Sequence, residues 1–530
     1  MSSDLNLDPQ LRESDAPAEG AFTSILFEPG HTQDEQTPTE PDYFPDLNLD
    51  QIWSSITKHC EDFDLSRCFY ERLTTRSAVE YRHEICRDLE RPEIAAIVTA
   101  FTTQMHTMRD QLDLVRKLHD GHQRERWFLS AVRTYLDAVA GLTHGLGELS
   151  LSSQGLTLLC GYLSGYSMSR HLQELEAETA ELEQQLADVR YEVLVNGLRV
   201  TVRPYEDEPD LSAEIEQTFE KFRQGTVTDR TVRFRDFIEN NSVEEQILAL
   251  VAHNNQDLFT HLADYVTRRN HDYLDPTIRR FDREVRFYLA YLDYIEPVRG
   301  VGLSFCYPDV SETDKRTEAT RSFDLALAHK LADNQITIVC NDAALHDDER
   351  IIVVTGPNQG GKTTFARMFG QIHHLAALGV PVPGVAAKIF LADQIFTHFE
   401  REEDLATLRS KFEDELVRLH DILERATGDS VLIMNESFSS TTLKDALWVG
   451  RRVLAQVVSL DMICLCVTFI DEFASIDPRV VSMMSTVDPD DVTRRTFEVV
   501  RKPADGLAYA VALAVKHRVS YTQLKERLAS

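Results

Sequence analysis

One octapeptide constrains this chain more than any other part of it: Gly356-Pro357-Asn358-Gln359-Gly360-Gly361-Lys362-Thr363. The apolar run Ile351-Ile352-Val353-Val354 precedes it, and Thr364-Phe365-Ala366-Arg367-Met368 follows. The pattern G-x-x-x-x-G-K-[ST] between a buried strand and a helix is a phosphate loop. A glycine-rich turn can wrap its backbone N–H groups around a triphosphate, and the helix after it aims its positive end at the same anion. Lys362 is then expected to reach the β- and γ-phosphates, and the Thr363 hydroxyl to sit on Mg²⁺. Phe365, Met368, Phe369, Ile372 and Leu375 fall at helical spacing, which predicts one buried helix ending at Gly379 before Pro381. The sequence therefore predicts a nucleoside triphosphate site.

Size and charge frame that site. With 530 residues the chain can form two or three domains with substantial cores. No apolar run approaches the roughly 18 residues of a membrane span. Met1-Ser2-Ser3-Asp4 has neither a basic nor an apolar leader region, so a secretory signal is not expected. The eight cysteines show no paired C-x-x-C spacing, and Cys464 and Cys466 lie in an apolar run as small hydrophobes. A reducing, cytoplasmic setting is expected. The formal charge is −32, and residues 1–50 carry twelve acidic side chains against Arg12 alone, or −11, leaving −21 for the rest. That segment also holds Pro9, Pro17, Pro29, Pro38, Pro41 and Pro45, and it reads as a disordered acidic tail. Attraction to a polyanion must then come from local basic patches.

Residues 51–295 read as helix. Leu172, Leu175, Leu182, Leu186 and Val189 mark a long heptad-like helix. A hairpin is expected near 191–203, with Asn196-Gly197 as its turn between Tyr191–Val195 and Leu198–Val202. An acidic helix from Leu211 to Phe222 and further helices follow. A long helix, a β excursion and a return describe a lever with a small tip, or equally a bundle with an edge hairpin. Residues 296–530 alternate strands and helices, which predicts a mostly parallel, doubly wound sheet around the loop. The expected class is thus an α/β phosphate-loop domain, a mostly parallel doubly wound sheet, fused to an all-α region with a hairpin tip.

The second half of the site is sought on an apolar strand ending in acids, and Ser430-Val431-Leu432-Ile433-Met434-Asn435-Glu436 supplies it. Asn435 stands where an aspartate is usual. Its amide keeps an acceptor oxygen but no charge, so Mg²⁺ should be held more weakly by Thr363, Asn435 and Glu436. Glu436 is placed to orient or deprotonate water.

Thr355 to Thr364, T-G-P-N-Q-G-G-K-T-T, resembles the nucleotide loop of the MutS DNA mismatch-repair ATPases, T-G-P-N-M-G-G-K-S-T, and the Pro-Asn and second Gly are not demanded by the generic loop. Further matches follow in order: Asp393–Thr397 resembles D-R-I-F-T, Asp404–Glu415 resembles D-L-A-S-G-R-S-T-F-M-V-E, and Gly506–Ala514 resembles the closing S-Y-G-L-A-V-A helix. Phe287–Asp293 looks like the helix entering that domain. The resemblance covers roughly residues 285–530.

The resemblance implies an ATP site shared between two ATPase domains. Gly356, Pro357, Asn358, Gln359, Gly360, Gly361, Lys362, Thr363 and Thr364 would bind the nucleotide, and Ser410 would reach the γ-phosphate from a partner subunit. Lys362 and Glu436 would carry the chemistry, with ATP and Mg²⁺ as ligands and a homodimer as the working form. Nucleotide state would open or close the arms around DNA. Three departures stand out: Asn435, Phe469 where the family has histidine, and Leu408 where the trans segment has glycine; together they imply slow or altered hydrolysis. Phe69-Tyr70-Glu71 has the letters of the family's mismatch wedge. However, a helix is expected after it, and the roughly 225 residues from there to the ATPase are too few for mismatch-reading, connector and lever domains at about 100 each.

Basic candidates for a DNA surface are Arg223, Arg230, Arg233 and Arg235, the run Arg268 to Arg286, and the hairpin pair Arg199 and Arg203, which are the better placed for backbone phosphates. The expectation is an ATP-driven clamp on duplex or branched DNA, in mismatch repair or recombination, without sequence specificity. The alternative is a nucleotide-gated dimeric switch acting on a protein partner.

Overall fold

The structure is a computed structural model and describes residues 22–30, 39–58, 63–196, 199–205, 242–332, 337–401, 410–488, 494–504 and 524–525. The chain divides into two compact units, one of residues 1–22, 92–151 and 157–282, the other of residues 23–91, 152–156 and 283–530. Helices α1 (Leu49–Thr57), α2 (Ser66–Tyr70) and α3 (Arg76–Leu89) fall in the second unit. Residues 51–91, expected within the helical region 51–295, thus group with residues 283–530.

The first unit is helical. In α4 (Pro92–Lys117), Val98, Phe101, Met105, Met108, Leu112 and Val115 recur at three- and four-residue spacing and are buried. In α5 (Gly121–Gly147), Phe128, Val132, Tyr135, Val139 and Leu142 do the same. Asp120 caps α5 by accepting from the Gln123 N–H at 2.8 Å. After α6 (Gln154–Ser167), α7 (Arg170–Ala187) buries Leu172, Leu175 and Leu182 of the five expected heptad positions, while Leu186 is half-buried and Val189 lies beyond the helix end.

The hairpin is present as β1 (Tyr191–Asn196) and β2 (Arg199–Pro204), but one residue out of step with the expectation. Asn196 already pairs with Arg199, so the strands take in Asn196 rather than turning on it. Residues 197 and 198 lie outside the described residues. Helices α8 (Ser242–Asn254) and α9 (Gln256–Arg269) follow, and Val202 packs with Val251, Ala252 and Phe259. Arg199 and Arg203 are exposed on β2. Arg268 and Arg269 pair with Glu178 at 3.2 and 3.1 Å, which neutralises that part of the basic run. Arg223 to Arg235 and the Leu211–Phe222 helix lie outside the described residues.

The second unit takes in α10 (Pro276–Gly300) from Arg283 onward. Beyond it come β3 (Phe305–Cys306), β4 (Asp309–Ser311), β5 (Thr317–Ser322), α11 (Leu325–Ala332), β6 (Asn341–Leu345), β7 (Ile351–Thr355), α12 (Lys362–Ala377), β8 (Val382–Pro383), β9 (Ala386–Phe390) and β10 (Ile395–Phe399). The chain continues through α13 (Lys411–Arg425), β11 (Val431–Asn435), α14 (Leu443–Leu460), β12 (Ile463–Val467), a 3₁₀ turn (Asp471–Ser475), β13 (Val480–Val487) and β14 (Arg495–Arg501). The main sheet runs β10-β11-β12-β7-β13-β14, parallel except for β14. Side chains alternate across it. Leu432 and Met434 join Leu419 and Ile422 of α13 and Leu454 and Val457 of α14, while a Cβ on Gly370 of α12 would stand 2.7 Å from Ile433. Helices therefore cover both faces, the doubly wound arrangement expected. A smaller mixed sheet, β4-β9-β5-β6, lies in the same unit.

The disordered tail expected for residues 1–50 is corrected for 22–30 and 39–50. Ile25, Leu26, Phe27, Phe44 and Leu47 are buried. Glu284 accepts from the Ser24 hydroxyl and the Ile25 N–H. Buried Arg82 donates to the carbonyls of Leu26 and Leu378. Leu47 fills the space that Gly370 leaves, and Gln371 donates to its carbonyl at 2.8 Å. Short apolar clusters thus order a segment whose net charge alone argued against it. Phe69 is likewise a core residue, 4.5 Å from Trp53 and 4.9 Å from Phe287 between ring centroids. No helix among the described residues is long and apolar enough to cross a membrane.

Candidate nucleotide-binding site

All five residues of β7 are buried, so the strand is a fixed rail leading into the loop. It leaves that rail at Gly356, with φ +113°, and enters α12 at Gly361, with φ +88°; Gln359 also sits at positive φ. These are backbone states that glycine adopts without penalty. Gly360 is needed for another reason: a Cβ there would lie 2.5 Å from Ser485 Oγ and 2.9 Å from the Pro357 carbonyl.

Lys362 is the first residue of α12 and only 4% exposed. Its Nζ donates to the carbonyls of Gly356 and Pro357, each at 3.0 Å, and to Asn358 Oδ1 at 3.4 Å. Burial pulls its pKa down, and the Glu436 carboxylate opposes that shift. The ammonium is held inside the loop by neutral acceptors that suit replacement by an anion. The Thr363 hydroxyl donates to Asn435 Oδ1 at 3.1 Å, joining the loop to the end of β11. Two oxygen donors beside the Glu436 carboxylate form a hard-ligand set of the kind Mg²⁺ accepts, with only one charge among them.

Glu436 follows β11 at φ +53°, its N–H donating to the Val467 carbonyl at 2.9 Å. It lines a cavity of about 430 Å³ together with Gln359, Gly361, Lys362, Thr363 and Thr364. The rest of its lining has no counterpart in the sequence reading: Leu327 and Leu331 of α11, Ile338, Val339 and Phe497 supply apolar surface, and Asp324 and Asn341 polar groups. Phe497 is half exposed at φ +61°, and Asn341 fixes it by donating to its carbonyl and accepting from the Val499 N–H. These residues come from several separate segments, and no single motif contains them. Arg495 donates to the Asn358 carbonyl at 3.2 Å on the rim.

Ser410 is not part of this cavity. It caps α13, accepting from the Glu413 N–H at 3.3 Å, and is exposed. Leu408 and the rest of 402–409 lie outside the described residues, as does the Gly506–Ala514 segment. Phe469 is 53% exposed after Thr468, whose N–H donates to the Val354 carbonyl. Arg199 and Arg203 belong to the other unit.

Residues 352–515 match the family profile described as MutS domain V. A protein from Halobacterium salinarum described as DNA mismatch repair protein MutS 2 is 38% identical over 119 residues, 22% of this chain and 14% of that relative.

Proposed function

The chain belongs to the MutS family, and on that premise we propose that it binds and hydrolyses ATP and uses the cycle to control engagement with DNA. The observation that carries this reading is one cavity with two chemistries. Lys362, Thr363 and Glu436 give its lining polar groups, and Leu327, Ile338 and Phe497 give it apolar surface. A triphosphate suits the first and a purine the second. The loop N–H groups and Lys362 stabilise charge on the transferred phosphoryl group, and Glu436 orients the attacking water. Mg²⁺, held by Thr363 and Asn435 with Glu436 beside them, would neutralise phosphate charge when bound.

The trans role of Ser410 and the homodimer are part of the proposal. An exposed serine capping a helix outside its own cavity is available to another chain's nucleotide. DNA engagement is assigned to Arg199 and Arg203, exposed on β2, because a net charge of −32 leaves attraction to a polyanion to local basic groups.

The decisive experiment is ATP turnover by wild type, Lys362→Ala and Glu436→Gln, each with and without duplex DNA. Loss of turnover in both variants, with DNA stimulating the wild type, supports the clamp. Full turnover in Glu436→Gln removes its assignment. DNA binding that weakens steeply with salt, with a shallower slope in an Arg199→Gln/Arg203→Gln variant, supports contact at the hairpin. No binding at low salt favours a switch directed at a protein partner.

A further inference from the structure

The turn that carries Glu436 is strained. Glu436 and Phe438 both sit in the left-handed region, at φ +53° and +68°. A non-glycine residue holds that conformation only where its surroundings dictate it. The surroundings here are a buried polar strut. His398, on the edge strand β10, is 1% exposed, and Ser437 is 4% exposed. His398 Nε2 lies 3.2 Å from the backbone carbonyl of Glu415 in α13, an acceptor only, so this nitrogen carries the proton. Nδ1 is then the acceptor for the Ser437 hydroxyl at 2.7 Å, the shorter of two contacts, the other being the His398 backbone carbonyl at 3.3 Å. A second tie runs parallel: Ser440 Oγ donates to Glu415 Oε2 at 3.2 Å. Burial, with Arg418 second, lowers the His398 pKa to about 3, so the ring stays neutral and keeps this one tautomer.

We infer that His398 is a positioning residue for Glu436, bracing the catalytic turn against α13 through Ser437. His398 does not line the nucleotide cavity, so it acts through the turn and not on the nucleotide. The brace also joins Glu436 to the helix that Ser410 caps, the two residues assigned to opposite sides of a shared site. The inference rests on Glu436 being the residue that orients water.

The test is a double-mutant cycle of His398→Ala and Ser437→Ala, reading kcat and KM for ATP, affinity for a non-hydrolysed ATP analogue, and the thermal midpoint. Each single change should lower kcat about tenfold or more while analogue affinity stays within about twofold. The double variant should be no worse than the poorer single variant, because both remove the same link. His398→Asn, whose amide oxygen can stand where Nδ1 stands, should recover part of the turnover. Additive losses, unchanged kcat in Ser437→Ala, or loss of kcat and analogue affinity together would each overturn the brace. Ser437→Ala removes only one hydroxyl, so it reports even if His398→Ala does not fold. If the wild type shows no turnover, the functional reading fails first. The brace is then judged on the ¹⁵N resonances of the His398 ring in the wild-type chain: protonated Nε2 and bare Nδ1 at neutral pH support it, and a charged ring or the other tautomer overturns it.

Discussion

Gly360 and Gly361 are adjacent, yet the loop resists a methyl group at each for a different reason, and the two reasons separate by experiment. At Gly360 the obstacle is space: the new Cβ would meet Ser485 Oγ at 2.5 Å, the Pro357 carbonyl at 2.9 Å and Ser485 Cβ at 3.2 Å. Overpacking of this kind costs about 1–3 kcal/mol. Relief requires the loop to shift, which moves its N–H groups off the anion, so ATP should bind about ten- to a hundredfold more weakly. At Gly361 the nearest atom, the Phe497 carbonyl oxygen, is 3.5 Å from the would-be Cβ, an ordinary contact. The obstacle there is φ +88°, which costs an alanine roughly 1–2 kcal/mol and an asparagine less. Ser485 Oγ is buried with no hydrogen-bond partner among the described residues, so Ser485→Ala should be nearly neutral alone. It should nevertheless restore part of the affinity lost in Gly360→Ala and none of that lost in Gly361→Ala. Gly361→Asn should bind better than Gly361→Ala. The assay is titration with a fluorescent ATP analogue, alongside thermal unfolding. If Ser485→Ala fails to rescue Gly360→Ala, or rescues both glycine variants equally, the steric argument is wrong.

Three further outcomes follow from the same structure. Burial lowers the pKa of His83, His374 and His398 to about 3 and that of His373 to about 4. Their folded values lie below the unfolded one, so the unfolded chain takes up the protons, and stability should fall below pH 6.5 by up to about 1.4 kcal/mol per pH unit per histidine; denaturant unfolding at pH 7 and pH 5 with equal midpoints would contradict this. Removing residues 1–50 deletes Ile25, Leu26, Phe27, Phe44 and Leu47 from the core. At about 2–5 kcal/mol for each large side chain, the loss exceeds the margin of a typical domain, so the shortened chain should be insoluble or melt without cooperativity, and an unchanged calorimetric midpoint would restore the idea of a dispensable tail. Asn435→Asp places a charge beside the Thr363 hydroxyl. It should lower the Mg²⁺ concentration for half-maximal turnover about tenfold, and an unchanged or higher requirement would separate Asn435 from the metal.

The features read correctly from the sequence share a physical property: their cause is local. The loop from Gly356 to Thr363 declares itself because strand, glycines and helix are consecutive. The buried face of α7 was legible because a helix fixes the spacing of its own side chains. The errors arose where the deciding partner is remote. Twelve acids dominate residues 1–50, but Asp46 there accepts from Thr397 and Arg367, and Leu47 is buried because Gly370, more than 300 residues away, leaves room for it. No local window contains both halves of that fit. The hairpin missed its register by one residue for a related reason: Asn-Gly favours a turn, but Asn196 is committed to the ladder by its pairing with Arg199. The candidate site shows both cases. Its loop is one continuous motif, and its apolar lining is assembled from Leu327, Ile338 and Phe497 by the fold. The first depends on residue identity at fixed spacing, while the second needs only apolar surface delivered to the right place. Substituting Phe497 with leucine should therefore be tolerated far better than any change at Lys362.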